Sequence, residues 1–147
     1  MARTENTRDP RSKAILSSFS DLLRDNDVQL KRLERLMTLQ TPTASDQMIA
    51  TLLERTVKEG MAKEKEMRDK VEKLVNQLSD PTERYVVRLR YLDLARWEDI
   101  GYALFGGNGD YTGFKGPYLA KTFRIHSNAL RHLDAVLDAV DRGTITI

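Results

Sequence analysis

Between Lys115 and Arg131 the chain carries four cations, Lys115, Lys121, Arg124 and Arg131, and no carboxylate. Lysine and arginine neutralise phosphates, and arginine also reads base edges by paired hydrogen bonds. On a helix, Lys121, Arg124 and Arg131 stand three and seven positions apart and share one face. Ser127 and Asn128 fall on or beside that face, and Tyr118 and Thr122 stand near its start. The residue types in this run point to an anion, and above all to a phosphate backbone. Its acids come only later, at Asp134, Asp138 and Asp141.

Other chemistries find little support. The chain has no cysteine, which excludes disulfides, thiolate zinc sites and thiol catalysis. Its two histidines, His126 and His132, are six apart, a spacing that does not place two metal ligands on one helix face. The glycine-rich stretch FGGNGDYTGFKGP lacks the Gly-Lys-Ser/Thr ending of a phosphate cradle. The carboxylates are scattered and no nucleophile motif stands out, so the expectation is a protein without catalysis, metal or cofactor. No run approaches the roughly 18 apolar residues of a bilayer span. No signal-peptide-like apolar stretch opens the chain, so the expected setting is cytoplasmic. Residues 1–78 hold 15 basic and 13 acidic residues and residues 79–147 hold 9 of each. The basic run therefore sits in a neutral half.

The elements that must position it all read as helices. Residues 1–12 are polar and read as a flexible tail. Over 13–40 a seam recurs in steps of three and four: Leu16, Phe19, Leu23, Asn26, Leu30, Leu33 and Met37. Pro42 stops that helix, and Thr43 or Ser45 can cap the next, over 46–78. The second seam includes Leu53, Val57, Gly60 and Glu64, apolar at its ends and charged in its middle. Residues 13–78 thus read as a helical hairpin or coiled-coil arm, for oligomerisation or partner binding. Asn26 sets its register, and the pairing lies either within one chain or between two. Asp80, Pro81 and Glu83 restart a helix. A short helix follows from Trp97. Residues 105–116 form a glycine-rich insertion, either a connector or a wing against a bound backbone. The last helix opens at Pro117 and runs to about residue 142, with Gly143 as its cap. Leu89, Trp97, Ile100, Leu104, Ile125 and Leu130 should form the core of this carboxy-terminal unit, 79–147. Arg90 should either pair with Glu98 or Asp99 or touch an anion. The fold class is all-α: a long amino-terminal hairpin, then a three-helix, helix-turn-helix unit.

The stretch LSDPTERYVVRLRYLDLARWEDIGYAL, followed by TFRIHSNALRHL, resembles region 4 of bacterial sigma factors. It is similar, more closely, to phage and prophage regulators of the RinA and ArpU type, which share that domain. The residues that carry the resemblance are Leu78, Asp80, Pro81, Arg84, Val86, Val87, Leu89, Arg90 and Tyr91. Trp97, Glu98, Ile100, Phe123, Arg124, Ile125, His126, Ala129, Leu130 and Leu133 complete it. It covers about residues 75–135. The connection before its last helix is about twelve residues, where the family has three or four.

The resemblance implies a transcriptional regulator that binds double-stranded DNA at or near a promoter through its last helix. The arm would then form a homodimer or higher oligomer, or contact RNA polymerase. Two other readings stay open. One is a protein-interaction factor that binds polymerase or another host protein without reading DNA. The other is a DNA-packaging adaptor of the small-terminase kind.

Overall fold

The structure, a computed structural model, describes residues 10–147 and is all-helical. Residues 1–9 of the expected tail lie outside the described residues. The first helix, α1, is Arg11–Met37. It begins two residues earlier than the periodicity suggests because Ser12 is anchored. Its N–H donates to Asp134 (2.8 Å) and its hydroxyl to the Leu130 carbonyl (3.0 Å). Ser12 is thus buried structure and not tail.

The second helix, α2, is Ala44–Val75. At 1.5 Å per residue it is about 48 Å long. Thr43 caps it in a reciprocal box: the Asp46 N–H donates to Thr43 Oγ1 (3.0 Å) and the Thr43 N–H to the Asp46 carboxylate (2.9 Å). The Thr43 N–H, and after it the Thr43 hydroxyl, hold the Asp46 carboxyl pKa below its ordinary value.

α1 and α2 pack along their length as a hairpin within one chain. The seams predicted for oligomerisation are largely spent there. Leu33, Leu53 and Val57 form a small apolar cluster toward the hairpin tip. Leu16 and Phe19 are fully buried at its base, with Leu23 against them. Asn26 is used inside the chain as well. Its amide donates to the Gly60 carbonyl (2.9 Å) and to Glu64 (3.0 Å). Leu30 and Met37 stay exposed.

Gly60 lies against that amide. A Cβ there would collide with the Asn26 side-chain oxygen. Gly60→Ala should therefore destabilise by about 1–2 kcal/mol, as the Asn26 bonds are displaced. In an Asn26→Ala background the same change should stabilise by up to about 1 kcal/mol, because alanine is the better helix former. A urea double-mutant cycle checks this, and additive effects would overturn it.

The third helix, α3, is Pro81–Val87, with Asp80 accepting from the Thr82 N–H (2.8 Å) and Pro81 in its first turn. Glu83 does not complete a reciprocal cap. Its buried carboxylate turns inward and meets His132 Nδ1 at 2.7 Å. α3 then widens into a π-helical turn, Arg88–Leu92. The turn closes with Leu94 in the left-handed region (φ 57°), a conformation that strains a bulky side chain. The fourth helix, α4, is Trp97–Phe105, with Glu98 and Asp99 in its positive first turn. The last helix, α5, is Lys115–Asp141. Its end is a Schellman closure. Gly143, at φ 74°, donates to the Val140 carbonyl, and Thr144 to that of Ala139.

One apolar core unites the elements. It joins Leu16 and Phe19 of α1 and Val71, Leu74 and Val75 of α2 to Val87, Tyr91, Ala129, Leu130 and Leu133. The boundary expected at 78/79 runs through this core, so the base of the hairpin and the carboxy-terminal helices share one interior. Of the core predicted for 79–147, Ile100 and Leu130 are buried. Leu89, Trp97, Leu104 and Ile125 are only half-buried, because α1 takes the central place they were assigned.

Candidate nucleic-acid interface

α5 divides its charges by position. The buried line of the helix holds Thr122, His126, Ala129, Leu133 and Leu137. Pro117, Lys121, Arg124, Asn128, Arg131 and Ala135 recur on the opposite side in steps of three and four. Lys121, Arg124 and Arg131 are exposed and Asn128 is half-buried. From 117 to 135 this stripe is about 27 Å long, and it holds no carboxylate.

The acids of α5 lie toward its far end, where α1 starts. Asp134 accepts from Ser12, and Asp141 pairs with Arg11. That pairing lowers the Asp141 pKa and raises that of Arg11. The basic residues have no such neighbour: none of Lys115, Lys121, Arg124 and Arg131 has a carboxylate within ion-pair distance among the described residues. Arg131 reaches only Asn128, whose side-chain oxygen it holds. Lys121 lies 5.2 Å from the centre of the Tyr118 ring. Such an arrangement is a cationic stripe open to an anionic ligand.

Two residues assigned to that stripe lie elsewhere. Thr122 is fully buried, its hydroxyl donating back to the Tyr118 carbonyl at 2.9 Å. The Tyr118 hydroxyl is already used. It donates to Asp110 at 2.6 Å and accepts from the Asn108 amide at 3.2 Å. Its ring stacks between Phe105 and Tyr111. The bond to Asp110 raises the Tyr118 pKa. The residues between α4 and α5 therefore form a turn pinned by aromatic stacking, with one 3-10 turn at Tyr111–Gly113. α5 itself starts at Lys115, two residues before Pro117. Proline is harmless there because first-turn N–H groups have no helical partner. Ser127 is exposed beside the stripe, whereas Lys115, nine residues before Arg124, falls on the opposite side of the helix and lines a groove with Glu98 and Asp99 of α4.

Behind the stripe lies a polar–aromatic cluster that the periodicity did not reveal. His126 is buried and shares a 2.7 Å hydrogen bond with the Tyr91 hydroxyl. Its ring meets Trp97 edge-on at 4.7 Å, and Trp97 also meets Phe123 at 5.0 Å. Arg90 pairs with neither Glu98 nor Asp99. It lies over Trp97 at 4.6 Å and donates to the Ala95 carbonyl; Asp99 is paired with Arg96. The one sequence signal for this cluster was His126 lying three before Ala129 and four before Leu130 on the buried side.

Burial, then the charges of Lys13 and Arg90, push the His126 pKa down to about 4. The unfolded imidazole keeps a pKa near 6.5, so the unfolded chain binds the extra proton between those values. Stability should be full above about pH 6.5 and fall as pH drops toward 4, with His126 contributing about 2–3 kcal/mol of loss by pH 4.5. Urea midpoints at pH 7 and 4.5, for the parent and for His126→Gln, measure it. An equal drop in both proteins would sink the assignment.

No helix among the described residues is long and apolar enough to cross a membrane. Comparisons with protein-family models, curated proteins and solved structures return no match for this chain. The class that stands is an all-helical protein.

Proposed function

We propose that the protein binds duplex DNA through the exposed stripe of α5, as a regulator of transcription at or near a promoter. In this reading α4 and α5 act as a helix-turn-helix pair and α5 enters the major groove. The observation that carries it is the charge separation along α5. Two of the three acids of the helix, Asp134 and Asp141, turn to Ser12 and Arg11, while Lys121, Arg124 and Arg131 point to solvent without carboxylate partners. Lys121 then contacts phosphate, and Arg124, Ser127, Asn128 and Arg131 face the groove or its edges. The resemblance to region 4 of sigma factors and to regulators of the RinA and ArpU type supports the same reading. It draws on residues that lie in α3, the π turn, α4 and α5. The pinned turn 106–114 gives α5 a fixed start, which a reader of base edges needs. The role is binding, with no catalytic step.

Fluorescence anisotropy of labelled duplexes over 50–300 mM salt tests the proposal. Affinity should fall linearly with salt on logarithmic axes, with a preferred sequence standing above a non-specific background. No duplex binding at 50 mM salt would overturn it.

A further inference from the structure

The α1–α2 seam is consumed within one chain, yet the far half of the hairpin still carries uncovered apolar surface. Met48, Met37 and Leu52 are 67%, 66% and 59% exposed, and Leu39 and Ile49 a little under half. They lie around the turn between α1 and α2, far from the core that Leu16 and Phe19 join. Two shallow grooves meet there and share Leu36. One is lined by Arg32, Arg35, Leu39 and Ile49, the other by Met37, Pro42, Asp46 and Ala50. We propose that this tip is a self-association surface and that its occupant is the same tip of a second copy of this chain.

Three features select that partner. The first is area. The five side chains expose on the order of 500 Å², the upper end of what a monomer leaves open in one patch. A stable interface takes about 800 Å² from each partner, of which roughly six tenths is apolar. The patch supplies that apolar share. The second is charge. Residues 28–62 hold five cations, Lys31, Arg32, Arg35, Arg55 and Lys58, against four anions, Glu34, Asp46, Glu54 and Glu59. Each copy carries only one net positive charge there, so repulsion between two tips is small. The third is complementarity. The two grooves share Leu36 and differ in charge, with Arg32 and Arg35 in one and Asp46 in the other, so a two-fold axis near Leu36 brings the basic groove of one copy toward the acidic groove of the other.

This surface differs from the seam that the heptad pattern nominates, and it does not depend on DNA binding. Light scattering of the full chain at 5–100 µM, without DNA, tests it. The parent should show twice the chain mass. Leu52→Glu and Met48→Glu, both at exposed helical positions, should show the single-chain mass and weaken association at least tenfold. Their circular dichroism and melting temperature at low concentration should match the parent. A parent of single-chain mass at 100 µM overturns the proposal, and saturable binding of purified RNA polymerase by that monomer would assign the tip to it. Dimers that persist in both variants also overturn it, because the interface would then lie elsewhere.

Discussion

Phe19→Ala is expected to remove about 3–5 kcal/mol of stability, the range for deleting a large aromatic side chain from a packed interior. Phe19 is fully buried, and its cluster draws on α1, α2, the π turn and α5. Truncation leaves a cavity at the point where the hairpin meets the carboxy-terminal helices. A domain of this size has about 5–15 kcal/mol in total, so the loss is a large share. The informative part is where the loss is felt. Trp97 is the only tryptophan, and it lies in α4, outside the hairpin. If the core is continuous, Trp97 fluorescence and far-UV circular dichroism should follow one shared, lowered urea transition in Phe19→Ala. If the hairpin were an independent arm, the Trp97 transition would stay at the parent midpoint while helicity fell earlier. That second pattern would refute the shared core.

The helices were legible because their signals are local. Thr43 with Asp46, and Asp80 with Pro81, mark starts by side-chain geometry within four residues. Pro42 and Gly143 mark ends in the same way. The seams were legible too: Ala50, Leu53, Val57, Gly60, Glu64, Met67, Val71 and Leu74 all face inward to some degree. What they face was not. A heptad seam has the same spacing whether its partner is the next helix or another chain. Asn26 read as a register device for a pairing either within one chain or between two, and it serves the hairpin through Gly60 and Glu64. The contact of Leu16 and Phe19 with Leu130 and Leu133 spans more than a hundred residues, and no periodicity encodes it. Trp97 is partly buried, packed against His126, Phe123 and Arg90 rather than in the cluster around Leu16 and Phe19. The π turn at Arg88–Leu92 left no sequence mark, since its residues would suit an ordinary helix equally well.

The candidate site was legible in part for the same reason. The acid-free run needed only composition, and the shared face of Lys121, Arg124 and Arg131 needed only the helical period. Thr122 was misplaced because a threonine within a basic run reads as a polar contact, whereas at 100° per residue it falls on the line of His126 and Ala129. Tyr118 was misplaced because Asp110 and Asn108 lie eight and ten residues away across a loop of unreadable path.

The DNA reading makes its sharpest demand on three side chains whose removal leaves the fold intact. Lys121, Arg124 and Arg131 are exposed and hold no ion pair among the described residues, so alanine at each should leave the melting temperature within about 2 °C. Lys121→Ala with Arg131→Ala removes two phosphate-neutralising charges. The logarithmic salt slope should fall by about two units, and affinity at 0.1 M salt by about 60-fold, for every duplex alike. Arg124 stands at the centre of the stripe, closest to the groove floor once α5 is docked. Arg124→Ala should cost about 1–3 kcal/mol on the preferred sequence and much less on a random one. The two variants therefore separate positioning from reading: one lowers all affinities together, and the other narrows the gap between them. Ser127 and Asn128 flank Arg124 and hold no competing charge, so a residual preference in Arg124→Ala would fall to them. Parent-like affinity and salt slope in the Lys121, Arg124, Arg131 triple alanine variant would refute the assignment of α5 to DNA.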